Sequence, residues 1–104
     1  MCFDIMWESA QKNELLLIEG GYCLWHLRED GQITIREIIA TKPGAGSVML
    51  EQLKQVPGAR WLYAKCPAGL RANDWYRKKG FILDGHEVTK RNQRVLNLWR
   101  FPLP

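Results

Sequence analysis

Thr41-Lys42-Pro43-Gly44-Ala45-Gly46-Ser47 is the segment of this 104-residue chain whose residue types and spacing best suit chemistry. It lies directly between a β-rich run and an amphipathic run. Its two glycines let the backbone approach a ligand closely. The free N–H groups in the first turn of the following helix, at the positive end of its dipole, favour phosphate oxygens. Geometry and charge both suit a pyrophosphate. The spacing is not that of a Walker A loop, GxxxxGK[ST], and the third glycine of the dinucleotide fingerprint is missing. A plain β-to-α turn is the competing reading.

Glu37 is the candidate proton acceptor. Strict alternation through residues 33–39 puts it on the same face as Ile33, Ile35 and Ile39, and a carboxylate on an apolar face has a raised pKa and is a usable base. Two other readings stay open: a β-bulge that turns Glu37 outward, which the Ile38-Ile39 doublet suits, and a buried ion pair with a basic neighbour. His26, between Trp25 and Leu27, reads as a strand residue, and His86 as part of a polar loop. Cys2, Cys23 and Cys66 form no CxxC pair, and no Cys/His spacing suits a zinc module, so neither a disulfide scaffold nor a metal site is expected. None of the three has the histidine context of a nucleophile. Trp7, Trp25, Trp61, Trp75 and Trp99 fall mostly on core elements and read as packing.

The elements that must position these residues follow from period and punctuation. Residues 2–8 alternate as a strand, and residues 15–18 are too short to separate a strand from a turn of helix before Gly20-Gly21 ends them. Residues 22–28 and 33–39 form a hairpin around Asp30-Gly31. From Gly46, Met49, Leu50, Leu53 and Val56 recur at helical spacing until Pro57-Gly58. Residues 60–65 make a short strand. Residues 70–79, with Ala72, Trp75, Tyr76 and Lys79 along one side, make a second helix that Gly80 ends. Residues 81–83 and 94–101 are closing strands around a polar connection over 84–93. The order is four strands, helix, strand, helix, strand, strand, which is a mixed α/β fold in a single domain over residues 1–104.

The glycine turn together with Ala72-Asn73-Asp74-Trp75-Tyr76-Arg77-Lys78-Lys79-Gly80-Phe81 resembles the GNAT N-acetyltransferase superfamily, whose usual signatures are [QR]xxGx[GA] and NxxAxxxYxxxGF. Gly44 and Gly46 match the first, and Ala72, Tyr76, Gly80 and Phe81 match the second, in the right order and setting across residues 22–101. Thr41 stands where the family most often has Gln or Arg, and Gly69 where it often has Asn. Only about residues 9–20 are available for the two helices that the family places between its first two strands. The resemblance implies a central, mostly antiparallel mixed sheet with two main helices, and acetyl-coenzyme A as cosubstrate without a metal. It puts the pyrophosphate on Lys42, Pro43, Gly44, Ala45, Gly46 and Ser47. The backbone of Ile38 and Ile39, whose side chains would be core, would hold the pantetheine arm. It gives Tyr76 the role of protonating the departing thiolate, since a phenol of pKa about 10 holds its proton at neutral pH. A core tyrosine bonded to a backbone carbonyl is the alternative. The acceptor is an amine that the sequence does not name.

Charge is unevenly distributed. Residues 1–52 carry four Lys/Arg against eight acids, a net of −4, and residues 53–104 carry eleven against three, a net of +8. A basic half suits an anionic partner. The alternative function is therefore a catalytically inactive binding or regulatory module gripping nucleic acid through Arg77-Lys78-Lys79, Lys90-Arg91 and Arg94. A homodimer would cover the end of a shortened sheet. Residues 15–18 form an apolar run far below the roughly 20 residues that span a bilayer, and Asp4 and Glu8 stand where a signal peptide has basic residues. A cytoplasmic protein without a membrane partner is expected.

Overall fold

The computed structural model describes residues 7, 8 and 10–104. Six strands form one sheet: β1 (Leu15–Ile18), β2 (Gly21–Leu27), β3 (Gln32–Ala40), β4 (Trp61–Pro67), β5 (Ile82–Val88) and β6 (Val95–Pro102). They lie in the order β1-β2-β3-β4-β6-β5. Every neighbouring pair is antiparallel except β3 with β4. Helix α1 (Ala45–Lys54) connects that parallel pair, and α2 (Ala72–Lys78) connects β4 to β5. The mixed α/β fold class and the two helices agree with the sequence reading.

Both helices cover the same face of the sheet. Cys23, Ile33, Ile35, Leu62, Ala64, Cys66 and Trp99 alternate toward that face, and Met49, Leu50 and Leu53 of α1 and Tyr76 of α2 close over them. Alternation produces this directly, because residues paired across adjacent strands share a face. The other face carries Tyr22, Thr34, Glu37, Tyr63, Lys65, Leu98 and Arg100. Among the described residues no helix is long and apolar enough to cross a membrane.

Two expectations about elements need correction, and one open reading is resolved. Trp7 and Glu8 are helical rather than extended, and the rest of the expected 2–8 strand lies outside the described residues. Residues 15–18 are a strand. β5 runs to Val88 through what reads as a polar connection, so His86 is a strand residue, its Nδ1 2.9 Å from Asn97 Oδ1. An edge strand exposed on both faces has no burial to impose alternation, which is why hydropathy misses it.

Asn73 holds the start of α2 in place. Its buried amide NH2 is shared among the carbonyls of Leu70 (2.8 Å), Pro67 (2.9 Å) and Ala68 (3.2 Å). Its oxygen accepts from Trp99 Nε1 and from Asn97 Nδ2, both at 2.9 Å. A buried hub that is fully satisfied leaves several unpaired groups when removed. Asn73→Ala is expected to cost about 3 kcal/mol in urea unfolding. Asn73→Asp is expected to do worse, because a carboxylate would face three carbonyl oxygens. A wild-type midpoint for Asn73→Ala would show that the hub does not hold α2.

Candidate active site

β3 and β4 pair only from Gln32 with Trp61 to Ile35 with Ala64, although both strands run on. The cause lies on the other side of β3. There Trp25 pairs with Ile35 and the preceding Leu24 pairs with Glu37, so Arg36 is the extra residue of a β-bulge. A bulge bends its strand and strengthens the local twist. Past it, among the described residues, the β4-side edge of β3 over residues 36–40 has no strand beside it, and a cleft of about 520 Å³ opens between β3 and β4. Ile38, Lys65, Cys66, Leu70, Arg71, Trp75 and Tyr76 are among the residues that line it.

The bulge also settles the orientation of Glu37. Ile38 takes the core-facing position opposite Cys23, while Glu37 points to the open face opposite Leu24. The same-face grouping with Ile33 and Ile35 does not hold, and the outward-turning bulge does. Glu37 still lines the cleft, and its Oε1 accepts a hydrogen bond from the Tyr22 hydroxyl at 3.3 Å. Partial desolvation and the neighbouring Glu37 carboxylate raise the Tyr22 phenol. Ile39 also differs from expectation: its side chain lies on the open face opposite Tyr22 and is exposed, not core.

Tyr76 reaches the cleft from the helix side. Its ring meets Trp75 and Phe81 edge-on, each at 5.1 Å between centroids, and stacks on Trp99 at 6.3 Å. The Phe81 N–H donates to the Tyr76 carbonyl at 3.0 Å, so the helix stop at Gly80 also fixes this residue. Burial raises the phenol well above its ordinary value, with Cys66 and Cys23 adding to the shift. Among the described residues its hydroxyl has no backbone carbonyl partner. Burial likewise pushes the Cys66 thiol up, which suits packing rather than nucleophilic attack.

At the head of the cleft the loop from β3 enters α1. Gly44 has φ +84, a left-handed conformation that a glycine adopts without cost. The Ala45 N–H bonds back to the Lys42 carbonyl at 3.2 Å and the Val48 N–H to Gly44 at 3.1 Å, while those of Gly46 and Ser47 find no backbone acceptor. No side chain caps this end and no acid lies in its first turn. Two unpaired donors at a helix N-terminus fit a phosphate group. Pro43 is exposed and Ala45 buried. Lys42 is exposed and ion-paired with Glu19, so it is not a free cation at the loop. Gly46 has a second duty: a Cβ there would stand 2.7 Å from Trp75 Cζ2, so the glycine sets how closely α1 and α2 approach.

The other candidates are dispersed. His26 Nδ1 is paired with the Glu14 carboxylate, which also receives Arg36 at 3.4 Å. Cys23 is buried in the core, its thiol pushed up to about 12 by desolvation. Trp99 is core and Trp7 exposed. No three His, Cys, Asp or Glu residues among those described could hold a metal. The basic cluster is divided: Arg77, Lys78 and Lys79 lie at the C-terminal end of α2, whereas Lys90, Arg91 and Arg94 lie at the opposite end of the sheet, the end at which β4 finishes. Sequence reasoning missed Asn73 and Arg71. The only available signal for Asn73 was a polar side chain one residue inside a helix start.

No family model and no curated protein matches this chain. Solved structures do. A Bacillus anthracis structure described as a streptothricin acetyltransferase, in complex with acetyl coenzyme A, superposes with a TM-score of 0.72 at 18% identity, covering 82% of this chain and 56% of that one. A GNAT family acetyltransferase from Bacillus cereus gives 0.80 at 10% identity over 97% and 78%. The ribosomal-protein-S18-alanine N-acetyltransferase of Escherichia coli gives 0.71 at 16% over 98% and 77%. The chain thus has the fold of the GNAT acetyltransferases, while spanning little more than half the length of the first of these relatives.

The two glycines of the loop are separable by experiment. Gly46→Ala is expected to destabilise the protein by about 2 kcal/mol, as overpacking does, and Trp75→Leu in the same chain should recover most of it. Gly44→Ala meets nothing within 4 Å and should cost only its backbone strain, about 1 kcal/mol. Urea unfolding measures both, and equal costs without rescue would refute the helix-spacing role of Gly46.

Proposed function

We propose that the protein is an acetyl-coenzyme A-dependent N-acetyltransferase acting on an amine by direct transfer within a ternary complex. One observation carries the reading: the strand gap has an unpaired helix N-terminus at its head, a carboxylate on one side and a buried phenol on the other. The bound cosubstrate supplies a thioester carbon open to attack by an amine. The residues present fit it. The Gly46 and Ser47 N–H groups, with Pro43, Gly44 and Ala45 shaping the turn, bind its pyrophosphate. The free edge of β3 at Ile38 and Ile39 offers the pantetheine amides the hydrogen bonds that β4 does not make.

Glu37 takes the proton of the attacking amine, directly or through water, from the open face. Tyr76 gives its proton to the departing sulfur from the helix side. Acid and base on opposite sides of the gap avoid quenching each other, and burial keeps Tyr76 in the form its role requires. Among the described residues Tyr76 has no carboxylate partner, and Glu37 accepts its hydrogen bond from the Tyr22 hydroxyl; both are consistent with this division. A single-domain enzyme of the cytoplasm is part of the same reading.

A thermal-shift titration tests the binding step. Acetyl-coenzyme A and coenzyme A should raise Tm saturably, because a ligand bound only by the folded state stabilises it, whereas ATP should not match them. Equal shifts with ATP would reduce the loop to a general anion site.

Tyr76→Phe tests the chemistry. It should lower kcat about 100-fold with little change in the KM for acetyl-coenzyme A. The sign of the pH dependence follows from the raised phenol: the active form is the protonated one, so wild-type activity should show no loss from its ionisation until pH passes about 10, the ordinary tyrosine value. An alkaline decline below that, absent from Tyr76→Phe, would contradict the assignment.

A further inference from the structure

β5 and β6 continue past the end of β4. The last β4 pair is Pro67 with Leu96, and the ribbon from Val88 through Val95 overhangs it, touching the neighbouring loop where the Ala68 N–H donates to the Val95 carbonyl at 3.0 Å. The overhang is well built. The Thr89 N–H donates to the Arg94 carbonyl at 2.9 Å, the Gln93 N–H to Thr89 at 3.0 Å, and the Arg94 N–H to Thr89 Oγ1 at 3.1 Å. Such a turn presents its side chains on a fixed frame, and those are Lys90, Arg91 and Arg94, all exposed. Behind them Val88 and Val95 are 54% and 43% exposed.

Lys42, Lys65 and Arg36 around the cleft each have a carboxylate partner. Lys90, Arg91, Arg94 and the cleft-lining Arg71 have none among the described residues, although the Ala68 contact sets the ribbon beside the loop that leads to Arg71. Among the described residues Lys78 and Lys79, at the far end of α2, also lack a carboxylate partner, so position at the cleft end of the sheet, rather than pairing alone, sets this flank apart. Clustered, unpaired, exposed cations repel one another and favour a polyanion. A two-stranded ribbon has the width of a duplex groove. The absence of aromatic residues from residues 88–95 disfavours single strands, which bind by stacking.

We infer that the β5–β6 ribbon is a docking surface for duplex nucleic acid, contacting its phosphate backbone, and that it brings the acceptor amine to the cleft on a nucleic-acid carrier. The second half of this statement rests on the acetyl-transfer reading, and the docking surface does not. The cations at the far end of α2 would take no part.

Fluorescence anisotropy with short labelled DNA and RNA duplexes, over a range of salt, tests it on the intact chain. Lys90→Ala with Arg91→Ala should weaken binding about tenfold and flatten the dependence of log affinity on log salt by about two. Lys78→Ala with Lys79→Ala removes the same charge from the other end and should change binding far less. Both double variants should keep the wild-type acetyl-coenzyme A thermal shift. Equal weakening by the two pairs would overturn the proposal in favour of general charge attraction. Displacement of the duplex by polyglutamate at matched charge would overturn it in favour of an acidic protein partner. Duplex binding with the expected pattern, but no acetyl-coenzyme A shift in the wild type, would uphold the docking surface and sink the transferase.

Discussion

A strand that carries one extra residue cannot keep both its alternation and its pairing, and in β3 that residue is Arg36. Before it, β3 is an inner strand bonded on both sides. After it, β3 keeps β2 and loses β4, which opens the cleft, exposes a row of backbone donors and acceptors, and turns Glu37 to the open face while returning Ile38 to the core. The open edge, the cleft beside it and the orientation of Glu37 trace to that single insertion. Arg36 itself is tied to Glu14, which also holds His26, so the bulge is anchored to the strands beside it.

The helices seat against this opening by two devices of different kind. Steric exclusion operates at Gly46, where the missing side chain lets Trp75 lie across the start of α1. Directional bonding operates at Asn73, whose amide gathers three carbonyls and two donors around the first turn of α2. The first fixes the distance between the two helices. The second fixes the position of α2 along β4 and β6, and hence the depth of Tyr76 in the cleft.

Much of this was legible in the residues. The helical spacing of Met49, Leu50 and Leu53, the stop at Gly80 and the turn at Asp30-Gly31 are local signals, and the structure follows them. The glycine loop stands between a strand and a helix, as its neighbours in sequence imply, and Tyr76, a candidate through the family resemblance, lines the cleft. What alternation left open or missed was non-local. The bulge at Arg36 is a choice of register between β2 and β3: the Ile38-Ile39 doublet suits it, but only the pairing with β2 decides between it and an inward Glu37. β5 beyond Leu83 lies at an edge, where neither face is buried strongly enough to imprint a pattern. Trp7 and Glu8 show the opposite failure, an alternating pattern on residues that are helical. Asn73 draws its partners from residues 67–70 and from β6, and no window around it contains them all.

The four-rung parallel ladder between β3 and β4 has a mechanical consequence. Among the described residues it is the only strand pairing that joins β1, β2 and β3 to β4, β5 and β6, so the sheet is two leaves bound along a short spine, with the helices packed across their shared core. Beyond the spine the leaves spread. A guest lying in the gap and bonded to both free edges would act as stitching, lengthening the spine and stiffening the book as it closes. Affinity for such a guest and cohesion between the leaves would then be one property measured in two ways.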